Sequence, residues 1–175
     1  MTATTFIHTS DFQLGMTRWF LQGEAQGRFN DDREAAIMRL GLLAEDTGAE
    51  FIVVAGDVFE HNSLSREILA RATEMFKRLP VPVYVLPGNH DPLVADSVFY
   101  KTSADNVHVI ADSQPIEVAP GVELVGAPYL SKRANHDLVR HALEPLEPAE
   151  GIRIAVGHGQ VDSRLSLIHI SEPTR

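Results

Sequence analysis

Four polar clusters in this 175-residue chain combine metal-capable side chains with residues that turn the backbone: Ser10-Asp11-Phe12-Gln13, Gly56-Asp57-Val58-Phe59-Glu60, Gly88-Asn89-His90-Asp91 and Gly157-His158-Gly159. Asp11 and Asp57 offer carboxylates, Asn89 an amide oxygen and His158 an imidazole nitrogen. A carboxylate can bridge two cations, and ions paired in this way lie about 3.5–4 Å apart. Together the four clusters read as a dinuclear metal site. Taken singly, Asp11 or Gly56-Asp57 would pass for a cap or a turn, and only the ordered set argues for chemistry. The chain has no cysteine, which excludes thiolate ligands and disulfides. Oxygen and imidazole donors suit Mn, Mg, Fe or Zn.

Each cluster directly follows a predicted strand. Thr5–Thr9 is a β-branched run, Phe51–Ala55 is continuously apolar, Val81–Leu86 is a third strand and Arg153–Val156 a later one. Between the first three lie two amphipathic helices. One is predicted over Asp31–Thr47, capped by Asn30 or Asp31, with Ile37, Leu40, Leu43 and Ala44 inward and Gly48 after its end. The other spans Leu64–Leu79, with Ile68, Ala72, Met75, Phe76 and Leu79 on one stripe before Pro80. Alternating strands and helices imply an α/β fold with a parallel sheet. Ligands in such sheets gather at the carboxyl ends of the strands, so the four clusters can converge on one rim. Asn106–Ile110, Ile116–Val118 and Val122–Gly126 read as a β-rich second layer, followed by a polar helix over Asn135–Leu146.

The formal net charge is −9. Nucleic-acid binders usually carry a basic surface, because phosphate neutralisation dominates their affinity. If DNA is the substrate, bound cations or a partner must supply positive charge. No apolar run approaches the ~18 residues of a membrane span, and the first residues lack the basic and apolar regions of a secretory signal. A cytoplasmic protein with no membrane partner is expected.

The order Asp-x-(His), Gly-Asp-x-x-(Asp/Glu), Gly-Asn-His-Asp and Gly-His resembles the calcineurin-like metallophosphoesterase superfamily. The wording His8-Thr9-Ser10-Asp11 with Leu14-Gly15, then Gly56–Glu60 and Pro87–Asp91, is similar to the SbcD branch of DNA-repair exonucleases. This resemblance implies a four-layer sandwich, two facing β-sheets flanked by helices, incomplete at its C-terminus. It implies that Asp11 binds one metal, Asp57 bridges two, and Asn89 and His158 bind the second. It implies that His90 stabilises charge on the phosphate or protonates the leaving oxygen, with Asp91 orienting its ring. Two divalent ions, Mn foremost, would activate water for in-line attack on DNA. An SbcC-like ATPase subunit is the implied partner, and a homodimer is a further expected assembly.

Two departures from the pattern matter. Gln13 stands where the family has a metal-binding His, so its amide oxygen would coordinate weakly or hold a water, or the first site is weak. The family's final His-containing motif is absent. Residues 165–175 follow no pattern set before them and resemble a peptide read from sequencing-adapter DNA. A partial nuclease domain over 1–164 and a non-native tail over 165–175 are therefore expected, against a genuine short strand and tail. Two other functions stay open: a phosphodiesterase or phosphatase acting on small nucleotides or phosphoproteins, and a catalytically weak structural partner of an ATPase. Arg18, Trp19 and Phe20 could stack on or neutralise nucleic acid, although packing in the core or at the rim is the default for the two aromatics. His61, His108, His136 and His141 are expected at the surface, as are Lys132 and Arg133.

Overall fold

The structure is a computed structural model, and it describes residues 3–159. The expected tail, and His169 within it, lie outside them. β1 (Phe6–Thr9), β2 (Phe51–Ala55), β3 (Val83–Leu86) and β4 (Val107–Val109) form a parallel sheet in that order. Every residue of β2 and β3 is buried, as their unbroken apolar composition requires of strands covered on both faces.

Successive side chains of a strand point to opposite faces, and that alternation divides the core. Ile52, Val54, Val83 and Val85 pack with Ile7 against Ile37 and Ala44 of α1 (Glu24–Thr47) and Ala72, Met75 and Phe76 of α2 (Arg66–Lys77). Phe51, Val53, Ala55, Tyr84 and Leu86 face the other way, onto Leu124 and Val156. Those two residues belong to a second sheet, β5 (Ile116–Ala119), β6 (Val122–Gly126) and β7 (Ile152–Val156), in which β5 and β6 are antiparallel and β6 and β7 parallel. A short helix, α3 (Leu138–Leu143), covers the outer face of this sheet through Ala142, packed with Val125 and Ala127. Helices, sheet, sheet and helix make the two facing sheets flanked by helices that the motifs implied. Among the described residues no helix is long and apolar enough to cross a membrane.

Three local expectations are corrected. α1 begins seven residues before Asp31, and neither Asn30 nor Asp31 caps it. Tertiary hydrogen bonds extend it: Gln26 accepts from the Arg18 N–H (2.9 Å) and donates to the Met16 carbonyl (3.2 Å) and to Asn30 Oδ1 (2.9 Å), pinning the first turn to the preceding loop. Leu43 is exposed, and Gly41 is buried on the inward face instead, where Leu79 and Pro80 approach it closely. β4 pairs with β3 in the first sheet and does not join the second layer. A short run of three residues carries no sequence signal for which sheet it enters.

Candidate metal centre

The loops after β1 and β2 run side by side beyond the sheet. The N–H groups of Asp11, Gln13 and Leu14 donate to the carbonyls of Gly56 (3.0 Å), Asp57 (2.9 Å) and Val58 (2.9 Å), and the Glu60 N–H donates to Leu14 (3.0 Å). Asp11, Gln13 and Asp57 have φ of 58, 45 and 54°. Left-handed backbone costs a non-glycine residue on the order of 1–3 kcal/mol and persists where neighbouring contacts over-determine it. Here the rungs between the two loops hold it in place. The strain sits at three residues whose side chains were singled out for metal chemistry.

Asp57 is the hub of the centre and is only 4% exposed. Its Oδ1 accepts from the His90 N–H at 3.0 Å, and its Oδ2 lies 3.3 Å from His158 Nε2. The other ring nitrogen of His158, Nδ1, is 2.8 Å from the Ala55 carbonyl. A carbonyl only accepts, so Nδ1 carries the proton and Nε2 is directed at the centre, where Asn89 Oδ1 also lies, 3.1 Å away. Asp11 completes the cluster: a carboxylate oxygen of Asp11, one of Asp57 and a ring nitrogen of His158 all lie within 4.8 Å of one another. Two glycines make room for this. A Cβ on Gly56, itself at φ 91°, would run into the His158 ring, and one on Gly88 into the Asp57 carboxylate and N–H. Two carboxylates, an amide oxygen and an imidazole nitrogen aimed together are the donor set of a hard or borderline divalent cation.

The ionisations are coupled. Burial opposes charge on Asp57, but a hydrogen bond from His158, whose Nε2 donates to it when the ring is protonated on both nitrogens, and one from the His90 N–H outweigh it and hold the carboxyl below its usual range. The hydrogen bond to Asp57 in turn raises the His158 imidazole against the opposing effect of burial.

His90 faces the centre from the side. Its Nδ1 lies 3.1 Å from the Glu60 carbonyl and must donate to it, which leaves Nε2, 4.0 Å from Asp57 Oδ2, as the ring nitrogen facing the centre. The hydrogen bonds of Asp91 go to the backbone and not to that ring. Its Oδ1 accepts from Gly88 N–H (2.8 Å) and its Oδ2 from Phe59 N–H (2.9 Å), so the wholly buried carboxylate ties the second cluster to the third. Gln13 is placed through its backbone, its carbonyl accepting from Arg33 (3.0 Å). Its side-chain amide makes no hydrogen bond among the described residues.

Three residues that shape this rim escaped the sequence analysis. Tyr129 lies edge-on to His158 at 6.1 Å. Asn62 donates to the Pro92 carbonyl and accepts from the Val98 N–H, both at 2.9 Å, fastening the loop beyond Asp91. Glu60, quoted within its motif but given no role, keeps one buried carboxylate oxygen without a hydrogen-bond partner. Only the position of Glu60 inside a motif could have drawn attention to it. Trp19 and Phe20, expected to pack, are instead 94% and 59% exposed and lie edge-to-face with each other at 5.8 Å.

Comparison with known proteins gives the chain a family. A family model, calcineurin-like phosphoesterase, matches residues 4–171. The chain is 30% identical over 98 residues to the DNA double-strand break repair protein Mre11 of Archaeoglobus fulgidus, covering 54% of this chain and 21% of that protein. It is 27% identical over 123 residues to the uncharacterized metallophosphoesterase YhaO of Bacillus subtilis, covering 67% of this chain and 30% of that one. The chain thus spans less than a third of the length of these curated relatives. Among solved structures, the Pseudomonas putida nuclease MPE aligns over 86% of this chain and 59% of its own, at 16% identity and a TM-score of 0.42, too loosely to bear on the fold. Another aligns over 95% of this chain and 79% of its own, at 13% identity and a TM-score of 0.51, a likeness of fold alone. The family match runs through all four clusters that build the centre, and the chain belongs to the calcineurin-like phosphoesterase family.

Proposed function

We propose that this chain hydrolyses DNA phosphodiester bonds with two divalent ions, Mn foremost, as the exonuclease subunit of a homodimeric complex with an SbcC-like ATPase in the cytoplasm. The observation that carries the proposal is the convergence of Asp57, His158 and Asn89, with Asp11 beside them, at the carboxyl ends of β1, β2, β3 and β7. Asp57 with Asp11, Gln13, Asn89 and His158 would hold the ions. Ions bound there would supply positive charge to the phosphate and lower the pKa of the attacking water. His90, with Nδ1–H committed to the Glu60 carbonyl, presents Nε2 to the phosphate or to the leaving oxygen. Asp91 fixes the loop that carries Asn89 and His90. The likeness to a DNA double-strand break repair protein supports DNA as substrate. So does the exposed Trp19–Phe20 pair beside the first cluster, since aromatic faces stack on bases.

The net charge of −9 favours a second reading, hydrolysis of small nucleotides, whose few phosphates meet less repulsion. Rates on blunt duplex DNA and on bis(4-nitrophenyl) phosphate, with Mn²⁺, separate the two. A DNA exonuclease releases nucleotides from duplex ends, and Trp19→Ala slows that release while sparing the small diester. Turnover of the small diester with intact duplex would leave the small-nucleotide reading standing.

A further inference from the structure

A second feature of the same rim has no part in the metal centre. The loop after β4, at Asp112 and Ser113, and the segment between β6 and α3 enclose a cleft of about 400 Å³. Tyr129 joins the cleft to the centre, since it lines the one and lies edge-on to His158 in the other. Its backbone is locked, with its N–H donating to Pro87 (3.0 Å) and its carbonyl accepting from Leu93 (2.8 Å). The cleft wall is therefore rigidly attached to the segment that carries Asn89 and His90.

Three cationic or imidazole side chains line the cleft: Arg133, His136 and His141, the last two edge-to-face at 5.2 Å. Arg140 on the neighbouring helix is paired with Glu144 at 3.8 Å. In contrast, among the described residues no ion pair or hydrogen bond engages the side chains of Arg133, His136 or His141, while the Arg133 backbone carbonyl accepts from Ser131 Oγ at 2.7 Å. The acid at the cleft, Asp112, is turned to its own loop and accepts from Gln114 N–H at 2.9 Å. Solvent-facing N–H donors free of protein partners and gathered beside an aromatic ring match a phosphate attached to a base or sugar: charge-assisted bonds for the one, a stacking face for the other.

The geometry points to a strand-holding subsite, in which this cleft takes the nucleotide flanking the scissile phosphodiester, its phosphate on Arg133, His136 and His141 and its base on Tyr129. The assignment rests on the nucleic-acid reading of the metal centre. It also accounts for how a chain of net negative charge holds a polyanion, by concentrating free donors at one place on the rim.

The test is the affinity of the full chain for a fluorescent oligothymidylate, by anisotropy in Mn²⁺ across a range of salt concentrations. Each phosphate contact on a single strand contributes about 0.7 to the slope of log affinity against log salt. Arg133→Ala is expected to weaken binding about tenfold and to lower that slope by about 0.7, with Mn²⁺ affinity unchanged. His136→Ala, at the same phosphate, weakens binding in the same direction. Unchanged affinity, or weaker binding with an unchanged slope, overturns the subsite while leaving the nucleic-acid reading intact. If the wild type binds Mn²⁺ but no oligothymidylate, the nucleic-acid reading falls and takes the subsite with it.

Discussion

Asp57 and Asp91 are both buried carboxylates, yet the structure gives them opposite tasks. Asp57 keeps one oxygen on the His90 N–H and turns the other toward His158 Nε2, which Asn89 Oδ1 also approaches. Asp91 spends both oxygens on backbone N–H groups. Burial raises the Asp91 carboxyl from 3.8 to about 6, against the pull of those N–H donors. A carboxyl whose pKa is raised on folding favours the folded state most below its unfolded pKa. That contribution is lost as pH climbs through the folded value. In Asp91→Asn an NH2 group must face one of the two N–H donors, a mismatch worth about 1–3 kcal/mol. Urea unfolding of metal-free protein should show the variant destabilised at all pH values. The wild type's advantage should be larger at pH 4 than at pH 7. At this scale the sequence was legible where residue type carries the signal: Asp11, Asp57, Asn89 and His158 do come together. The wiring was not legible, because the choice between the His90 ring and the backbone as partner of Asp91 depends on how two distant loops meet.

At the scale of elements, the centre is a product of strand ends. β1, β2 and β3 are parallel neighbours, so their carboxyl ends, and the loops that follow them, fall on one rim. β7 brings His158 from the facing sheet, and its ring comes to lie over Gly56. Gly88→Ala places a methyl group against the Asp57 carboxylate, and overpacking of this kind costs about 1–3 kcal/mol. Circular dichroism should show the secondary structure retained while Mn²⁺ binding is lost. Gly27→Ala is the control: it lies in α1 with open space around it, where alanine gains up to about 1 kcal/mol of helix propensity. If both variants bind Mn²⁺ like the wild type, close approach at Gly88 is not what shapes the centre. Apolar runs made β2 and β3 readable in advance. The start of α1 was hidden because Gln26 sets it through hydrogen bonds to a loop, and a cap residue in the sequence could not outweigh them.

At the scale of the whole molecule, two apolar layers hold the rim. One lies between the first sheet and its helices, the other between the two sheets, and the alternation of β2 side chains feeds both. That division was implicit in the continuous Phe51–Ala55 run, since a strand with no polar face must be covered twice. The sheet that β4 joins, and the pairing of β7 with β6, could not be read in advance because three- to five-residue strands do not encode their neighbours. The most direct test of the metal centre is a calorimetric titration of this chain with Mn²⁺ beside Asp57→Ala. Saturable binding by the wild type that Asp57→Ala abolishes, with both proteins folded, is the predicted result. No binding by the wild type, or equal binding by the variant, would contradict a centre organised around Asp57.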